Sequence, residues 1–287
     1  DDPGSESQWI SVADIDRVHL DTHPWSLGGG GAGDLQAAVE AAGSRALRAE
    51  TREIGFGAVT REDSAYMVGD GYLRRREVPE GNRRPIVEGD VTRDWAVSEP
   101  VESIWPYDEE TLTARAHPVV QSALWPLRRI LVNRVAYGND QLARGLQWFE
   151  YSMFFAHRYR PAGVLSYAFK VSHNHFTLHE GEFVFKQTAP IIKLADPSDD
   201  NRKHFLLGVL NSSVIGYWLR QRTQPQGGGA AAHPWSWTYE FAVKIVGRAP
   251  IPPTDPRIPL LALDLHRYGQ KYSGFEATAA LREGTCS

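Results

Sequence analysis

Leu146-Gln147-Trp148-Phe149-Glu150-Tyr151-Ser152 opens the stretch on which the fold turns. It runs through Phe169-Lys170-Val171-Ser172-His173-Asn174-His175-Phe176. It closes on Val184-Phe185-Lys186-Gln187-Thr188-Ala189-Pro190-Ile191-Ile192-Lys193. Apolar and polar residues alternate through its second half. That period of two predicts strands with one face buried and the other in water. The polar positions hold Lys, His, Asn, Gln and Ser, side chains able to meet phosphates and base edges. The plain alternative for each is a solvated strand face.

The 287 residues suffice for one large domain or two ordinary ones, and 42% hydrophobic content supports a sizeable core. Nine Trp, eleven Tyr and eleven Phe supply large core pieces and some stacking groups. Cys286 is the single cysteine, so no disulfide can form within the chain, which suits a reducing cytoplasm. No apolar run approaches the ~20 residues of a membrane span. Asp1-Asp2-Pro3-Gly4-Ser5-Glu6 is no signal peptide and reads as an arbitrary cut in a longer protein. The net charge of −4 conceals a division. Residues 1–110 carry 11 Lys and Arg against 23 Asp and Glu, a net of −12; residues 111–193 carry 10 against 4, a net of +6. A basic region of that size could guide nucleic acid by its field, or the two parts could attract each other inside one fold.

Outward from the central stretch, residues 1–27 read as an extended lead-in. Gly28–Gly33 reads as a flexible connector, because no apolar strand precedes the four consecutive glycines and no P-loop Lys follows them. Leu35–Glu53 is rich in Ala, Leu, Arg and Glu and predicts a helix capped by Asp34. Ile54–Val59 and Ala65–Val68 predict short strands. Pro118–Arg134 predicts a basic amphipathic helix, and Ala143–His157 a second helix or a loop plus helix, dense in aromatics. His204–Arg222 predicts a long helix in which Asn211-Ser212-Ser213 is either a break or a polar patch. Gln224–Ala232 is a Gly-rich loop, Trp235–Val246 is extended or mixed, and Leu260–Leu281 predicts a C-terminal helix broken near Ser273-Gly274. The expected fold is mixed α/β (α+β), with short twisted strands and several helices. The expected division is a connector and helical segment over 1–60, then a second unit over 61–287.

The search for catalytic groups finds little. His173-Asn174-His175 spells the letters of an HNH nuclease, but that motif spreads its residues over a strand and a helix. His173 and His175 could share a strand face and join a metal, yet His179 is the one near candidate for a third ligand. Asp199-Asp200 with Lys203 reads as a helix start. No Gly-x-Ser-x-Gly elbow is present.

These residues together resemble a known family. Gln147-Trp148-Phe149-Glu150-Tyr151, His173-Asn174-His175-Phe176 and Phe185–Leu194 are similar to the C-terminal target-recognition region of the PglX family. So are Leu207-Gly208-Val209-Leu210-Asn211-Ser212-Ser213, Trp218-Leu219, Gly227-Gly228-Gly229, Tyr239-Glu240-Phe241 and Pro250-Ile251-Pro252. That family comprises the adenine-specific DNA methyltransferases of BREX (Pgl-type) phage defence, within the wider Eco57I-like and TaqI-like class. Arg84-Pro85, Glu88-Gly89-Asp90-Val91, Arg93 and Trp95 resemble the entry strand of such recognition domains. The family's Asn/Asp-Pro-Pro-aromatic motif, which holds a flipped adenine, is absent. The chain's one Pro-Pro, Pro252-Pro253, lies between Ile251 and Thr254. The resemblance therefore implies a DNA specificity part following a missing methyltransferase domain. It implies no catalytic residue, metal or cofactor in this chain, with S-adenosylmethionine serving the full-length enzyme.

Double-stranded DNA is the implied partner. The residues expected to contact it are Lys170, His173, Asn174 and Lys186 on the strands. Asn211, Ser212, Arg220, Arg222 and Gln224 follow around the long helix and Gly-rich loop, with Arg128, Arg129 and Arg158 as further phosphate contacts. Asn174 is the residue expected to read an adenine edge, against the alternative that it caps a turn. A different class of function is a protein-interaction module that binds other defence subunits or a DNA-mimic phage inhibitor; a nuclease built on the His cluster ranks last.

Overall fold

The strands that organise the molecule are β1 (Thr51–Gly55), β2 (Met67–Val68), β3 (Arg83–Val87), β4 (Val101–Ile104), β5 (Val164–Tyr167), β6 (Lys170–Val171), β7 (Phe176–His179), β8 (Val184–Phe185), β9 (Ile191–Leu194), β10 (Pro225–Gln226) and β11 (Thr238–Glu240). The helices used below are α1 (Ala32–Ala42), α2 (Pro118–Leu124), α3 (Arg128–Val132), α4 (Asp200–Leu210), α5 (Ser213–Gln221) and α6 (Arg257–Tyr272). The computed structural model describes residues 2–8, 10, 12, 14, 17–21, 25, 31–69, 71–93, 95–98, 100–159, 163–226 and 237–272.

Three small sheets carry the chain. The first is antiparallel, in the order β7-β5-β9-β1. Its register sets Leu165 opposite Leu178 and Ile192, and Ile192 opposite Ile54. Strand alternation sends these side chains to one face, where they pack on Phe205, Leu206, Leu210 and Trp218 of α4 and α5. The other face carries Val164, Ser166, Thr177, His179 and Ile191. It is covered rather than wet, because Val87 and Phe185 of the second sheet pack on Val164 and Ile191. This corrects the expectation of a solvated face: β5 and β7 are buried along their whole length. The polar residues there satisfy one another. Ser166 Oγ lies 2.6 Å and Thr177 Oγ1 2.7 Å from His179 Nε2.

The second sheet runs β8-β3-β4-β2, with β8 parallel to β3 and the other pairs antiparallel. It builds an aromatic core in which the buried Trp105 stacks on Tyr159 with ring centroids 4.4 Å apart. Tyr151 donates from its hydroxyl to the Ile104 carbonyl at 2.6 Å. A fully buried large apolar side chain contributes about 1.5–3 kcal/mol. Of the two forms expected for Ala143–His157, the structure has the loop plus helix. Turns and the short strand Met153–Phe154 bring Phe149, Tyr151 and Phe154 to this core, and Ala156–Tyr159 coils. Pro118–Arg134 likewise breaks into α2, a 3-10 turn at Trp125–Leu127 and α3, because Pro126 cannot continue the hydrogen-bond ladder.

The first helix is α1, and Gly31 caps it in place of Asp34, at φ 79°, a left-handed conformation that favours glycine. Residues 28–30 lie outside the described residues. The helix stops at Ala42, and Arg45–Ala46 then pairs with Pro250–Ile251. Because β1 joins the sheet of β5, β7 and β9, the expected boundary at residue 60 cuts through one shared core. Of the strand expected over Ala65–Val68, Ala65 and Tyr66 belong instead to the helical turn Asp63–Tyr66, and Met67–Val68 forms β2. The His204–Arg222 run is two helices, as the polar interruption suggested. Asp199 caps α4 by accepting from Arg202 N at 2.9 Å, and Ser212 caps α5 by accepting from Ile215 N at 3.3 Å. Residues 227–236, which hold most of the Gly-rich loop, and residues 273–287, which hold the expected break in the last helix, lie outside the described residues.

Candidate nucleic-acid interface

The elbow between α4 and α5 consumes three of the expected DNA-contacting residues. Asn174 Nδ2 donates to the carbonyls of Leu210 at 2.6 Å and Ser212 at 3.1 Å. Its Oδ1 sits where a Cβ on Gly216 would overlap it. Asn211 imitates a strand residue: Phe176 N donates to its Oδ1 and its Nδ2 donates to the Phe176 carbonyl, both at 2.9 Å. Ser212 is the cap of α5. These side chains satisfy carbonyls and amides that two helix ends and a strand end would otherwise leave bare. The reading of Asn174 as an exposed adenine reader is corrected by these bonds.

Lys186, Arg158 and Arg222 are tied into ion pairs with the acidic first part of the chain. Lys186 Nζ lies 2.5 Å from both Asp63 Oδ2 and Glu88 Oε1. Burial alone would lower its ammonium pKa; the bonds to the two carboxylates outweigh burial and raise it. Arg158 Nε donates to Glu53 at 2.7 Å and its Nη1 to the Phe56 carbonyl at 2.9 Å. Burial would raise the Glu53 carboxyl, but the Arg158 hydrogen bond holds it below its usual range. Arg222 pairs with Glu40. Arg202, unremarked in the sequence, pairs with Glu50 at 2.5 Å. Thus much of the charge division is internal attraction across the fold.

The remaining expected contacts are on the surface. Lys170, His173, Arg220 and Gln224 are exposed. Three of them gather at the third sheet, ordered β6-β11-β10. Lys170 stands opposite Glu240, and Tyr239 stands between Val171 and Pro225 in register. Arg220 lies over the Tyr239 ring with its guanidinium carbon 5.9 Å from the centroid, at the end of α5 that leads directly to Gln224 and β10. His173 follows β6, with its Nδ1 3.0 Å from Ser172 Oγ and its ring 4.1 Å from that of the buried His175. Arg128 and Arg129 occupy a separate surface. Arg128 lies 5.2 Å from the Trp125 ring and 5.9 Å from that of Trp148. Tyr239 and Trp125 are the residues that sequence reasoning passed over. Trp125 had a cue in Arg128 and Arg129, which follow it closely; Tyr239, between Thr238 and Glu240, had none.

By register Lys170 shares a sheet face with Glu240, whereas Tyr239, with Arg220 over its ring, shares the opposite face with Val171, so each cation could meet a phosphate but the two do not form one pocket. Pro252 and Pro253 stand elsewhere: Pro252 borders an apolar groove, and the Thr254 hydroxyl accepts from Arg202 at 2.7 Å. The residue after the two prolines is therefore a threonine engaged with an arginine, not an aromatic ring that could clamp a flipped base. Among the described residues, no three His, Cys, Asp or Glu stand together as a metal cluster. No described helix is long and apolar enough to cross a membrane.

The fold is thus mixed α/β, with two four-stranded sheets and one three-stranded sheet, beside two-stranded ribbons, around two main cores. No family model matches the chain. Over 268 residues, 89% of its length, it is 33% identical to the adenine-specific methyltransferase PglX of Streptomyces coelicolor, and it spans 22% of that protein. The Type IIL restriction-modification enzyme MmeI, solved in complex with DNA, aligns with 71% of this chain and 25% of its own at 14% identity and a TM-score of 0.49.

Proposed function

We propose that this chain is the sequence-recognition part of an adenine-specific DNA methyltransferase of a BREX-type phage-defence system. The observation that carries this reading is the 33% identity to PglX across 89% of the chain. Methyl transfer from S-adenosylmethionine then belongs to polypeptide outside residues 1–287, and these residues alone are inactive. The setting is the cytoplasm and the partner is double-stranded DNA. Lys170 and Arg220 hold backbone phosphates, with Arg128 and Arg129 as outlying contacts. Gln224 and His173 are the groups free to meet base edges.

A second reading, a module that binds other defence subunits or a DNA-mimic inhibitor, draws on exposed apolar residues such as Trp125, 62% exposed beside Arg128. Salt-dependent DNA binding separates the two. Under the first reading, affinity falls steeply with salt. Lys170→Ala and Arg220→Ala each weaken binding alike on all sequences and lower the salt slope by roughly one unit. Binding to DNA that ignores salt, or no binding with intact subunit capture, refutes it.

A further inference from the structure

We propose that the apolar groove between α1, the α4–α5 elbow and α6 receives an amphipathic helix from polypeptide outside residues 1–287. The groove has a cavity volume of about 580 Å³, and its walls include Val39, Trp95, Val214, Ile215, Ile258 and Leu265. No Asp, Glu, Lys or Arg lines it. On α6, Leu261, Leu265 and Tyr268 follow one another at the i, i+4, i+7 spacing of a helical stripe, and are 63%, 46% and 60% exposed. Val214 across the groove is 53% exposed. A contiguous apolar surface of this kind marks an interaction site.

The groove is preformed. A Cβ on Gly208 would meet Ile258 Cγ2 at 2.7 Å and Ala262 Cβ at 3.2 Å, so the glycine lets α6 lie close against α4. His266 Nδ1 donates to the Trp95 carbonyl at 3.0 Å and fixes α6 to the groove's floor. A charged duplex gains nothing from walls without cations, whereas a helix with apolar residues at matching spacing fits them. The source of that helix follows from length. The chain spans 22% of the Streptomyces methyltransferase, so most of such a polypeptide lies outside the aligned part and is available in cis. This inference rests on the proposed function, which makes the chain one part of a longer protein.

Hydrogen exchange tests it, comparing residues 1–287 with the uninterrupted natural polypeptide. In the longer protein the amides of α1 and α6 exchange at least ~10-fold more slowly. The double variant Leu261→Asp, Leu265→Asp removes that protection and leaves residues 1–287 folded with a cooperative melting transition, since the two side chains are 63% and 46% exposed. Equal exchange in the two proteins overturns the proposal. So does a natural reading frame of only these 287 residues, loss of α6 protection on deleting 273–287, or concentration-dependent dimerisation that the double variant abolishes. DNA binding measured in parallel separates the claims. An unprotected groove with intact sequence preference overturns this inference alone; a protected groove with no DNA preference overturns the proposed function alone.

Discussion

Asn174 shows how a polar residue with DNA-reading chemistry can be spent on the fold. Both of its amide-hydrogen bonds go to carbonyls at the α4–α5 elbow. Asn174→Ala should therefore cost about 1–3 kcal/mol of stability, the usual penalty for stranding buried acceptors. Chemical denaturation should show the loss while the DNA sequence preference of the chain stays put; a changed preference at unchanged stability would restore Asn174 as a reader. His179 makes a different prediction. Burial holds its imidazole down to about 3, from an ordinary 6.5, with the nearby His266 adding to the shift. The unfolded chain therefore binds a proton that the folded chain refuses between those two values. The group's contribution is flat above roughly pH 7. Stability then falls as pH drops through 6.5, by at most about 1.4 kcal/mol per pH unit, until the folded ring itself titrates. Thermal melts from about pH 7.5 to about 4.5 check this, with His179→Gln expected to flatten the slope. The sequence showed which residues were polar, but not which would meet a carbonyl 36 residues away.

Elements are held in place by groups that bridge them. Lys186, just after β8, binds Asp63 in the helical turn before β2 and Glu88 at the end of β3. Lys186→Met should destabilise by about 1–3 kcal/mol near neutral pH, less than for a fully buried pair because Asp63 is half-exposed. The penalty should shrink at high salt, which screens the half-exposed pair; a penalty independent of salt would mean that packing, not charge, is lost. Gly208→Ala should cost about 1–3 kcal/mol by wedging α6 from α4, seen as a lower melting temperature with α6 amides exchanging faster. Legibility differed by element. The start of α4 was readable at Asp199, and a break or polar patch at Asn211-Ser212-Ser213; Ser212 as the cap of α5 was not, since its hydroxyl suits a DNA contact equally well. Strands were readable by alternation in the second half of 146–193, which holds β7, β8 and β9; β5, buried on both faces, was not. The segment Ala143–His157 was not, because aromatic residues at irregular spacing mark a core without saying what backbone carries them. The second covered face of the central sheet was also hidden, since it depends on a sheet built from residues 83–104 and 184–185.

Across the whole molecule, the acidic first part and the basic remainder fold onto each other through Glu40–Arg222, Glu50–Arg202, Glu53–Arg158 and Lys186 with Asp63 and Glu88. Arg134 and Arg144 add bonds to main-chain carbonyls. The net +6 of residues 111–193 is therefore largely spent inside the fold. Of the expected contacts, those that face outward are Lys170, His173, Arg220 and Gln224 on and near the third sheet, with Arg128 and Arg129 apart. The candidate site was legible in residue type and only partly in place. Of twelve residues proposed from sequence, six are exposed and six are engaged within the fold. If the chain chooses the DNA sequence, the choice should travel with it. The decisive measurement is the methylated motif of a full-length protein in which residues 32–272 are replaced by the aligned segment of the Streptomyces PglX. The motif should switch to the one methylated by the segment's donor, with methylation retained. An active chimera that still methylates the original motif would contradict the account.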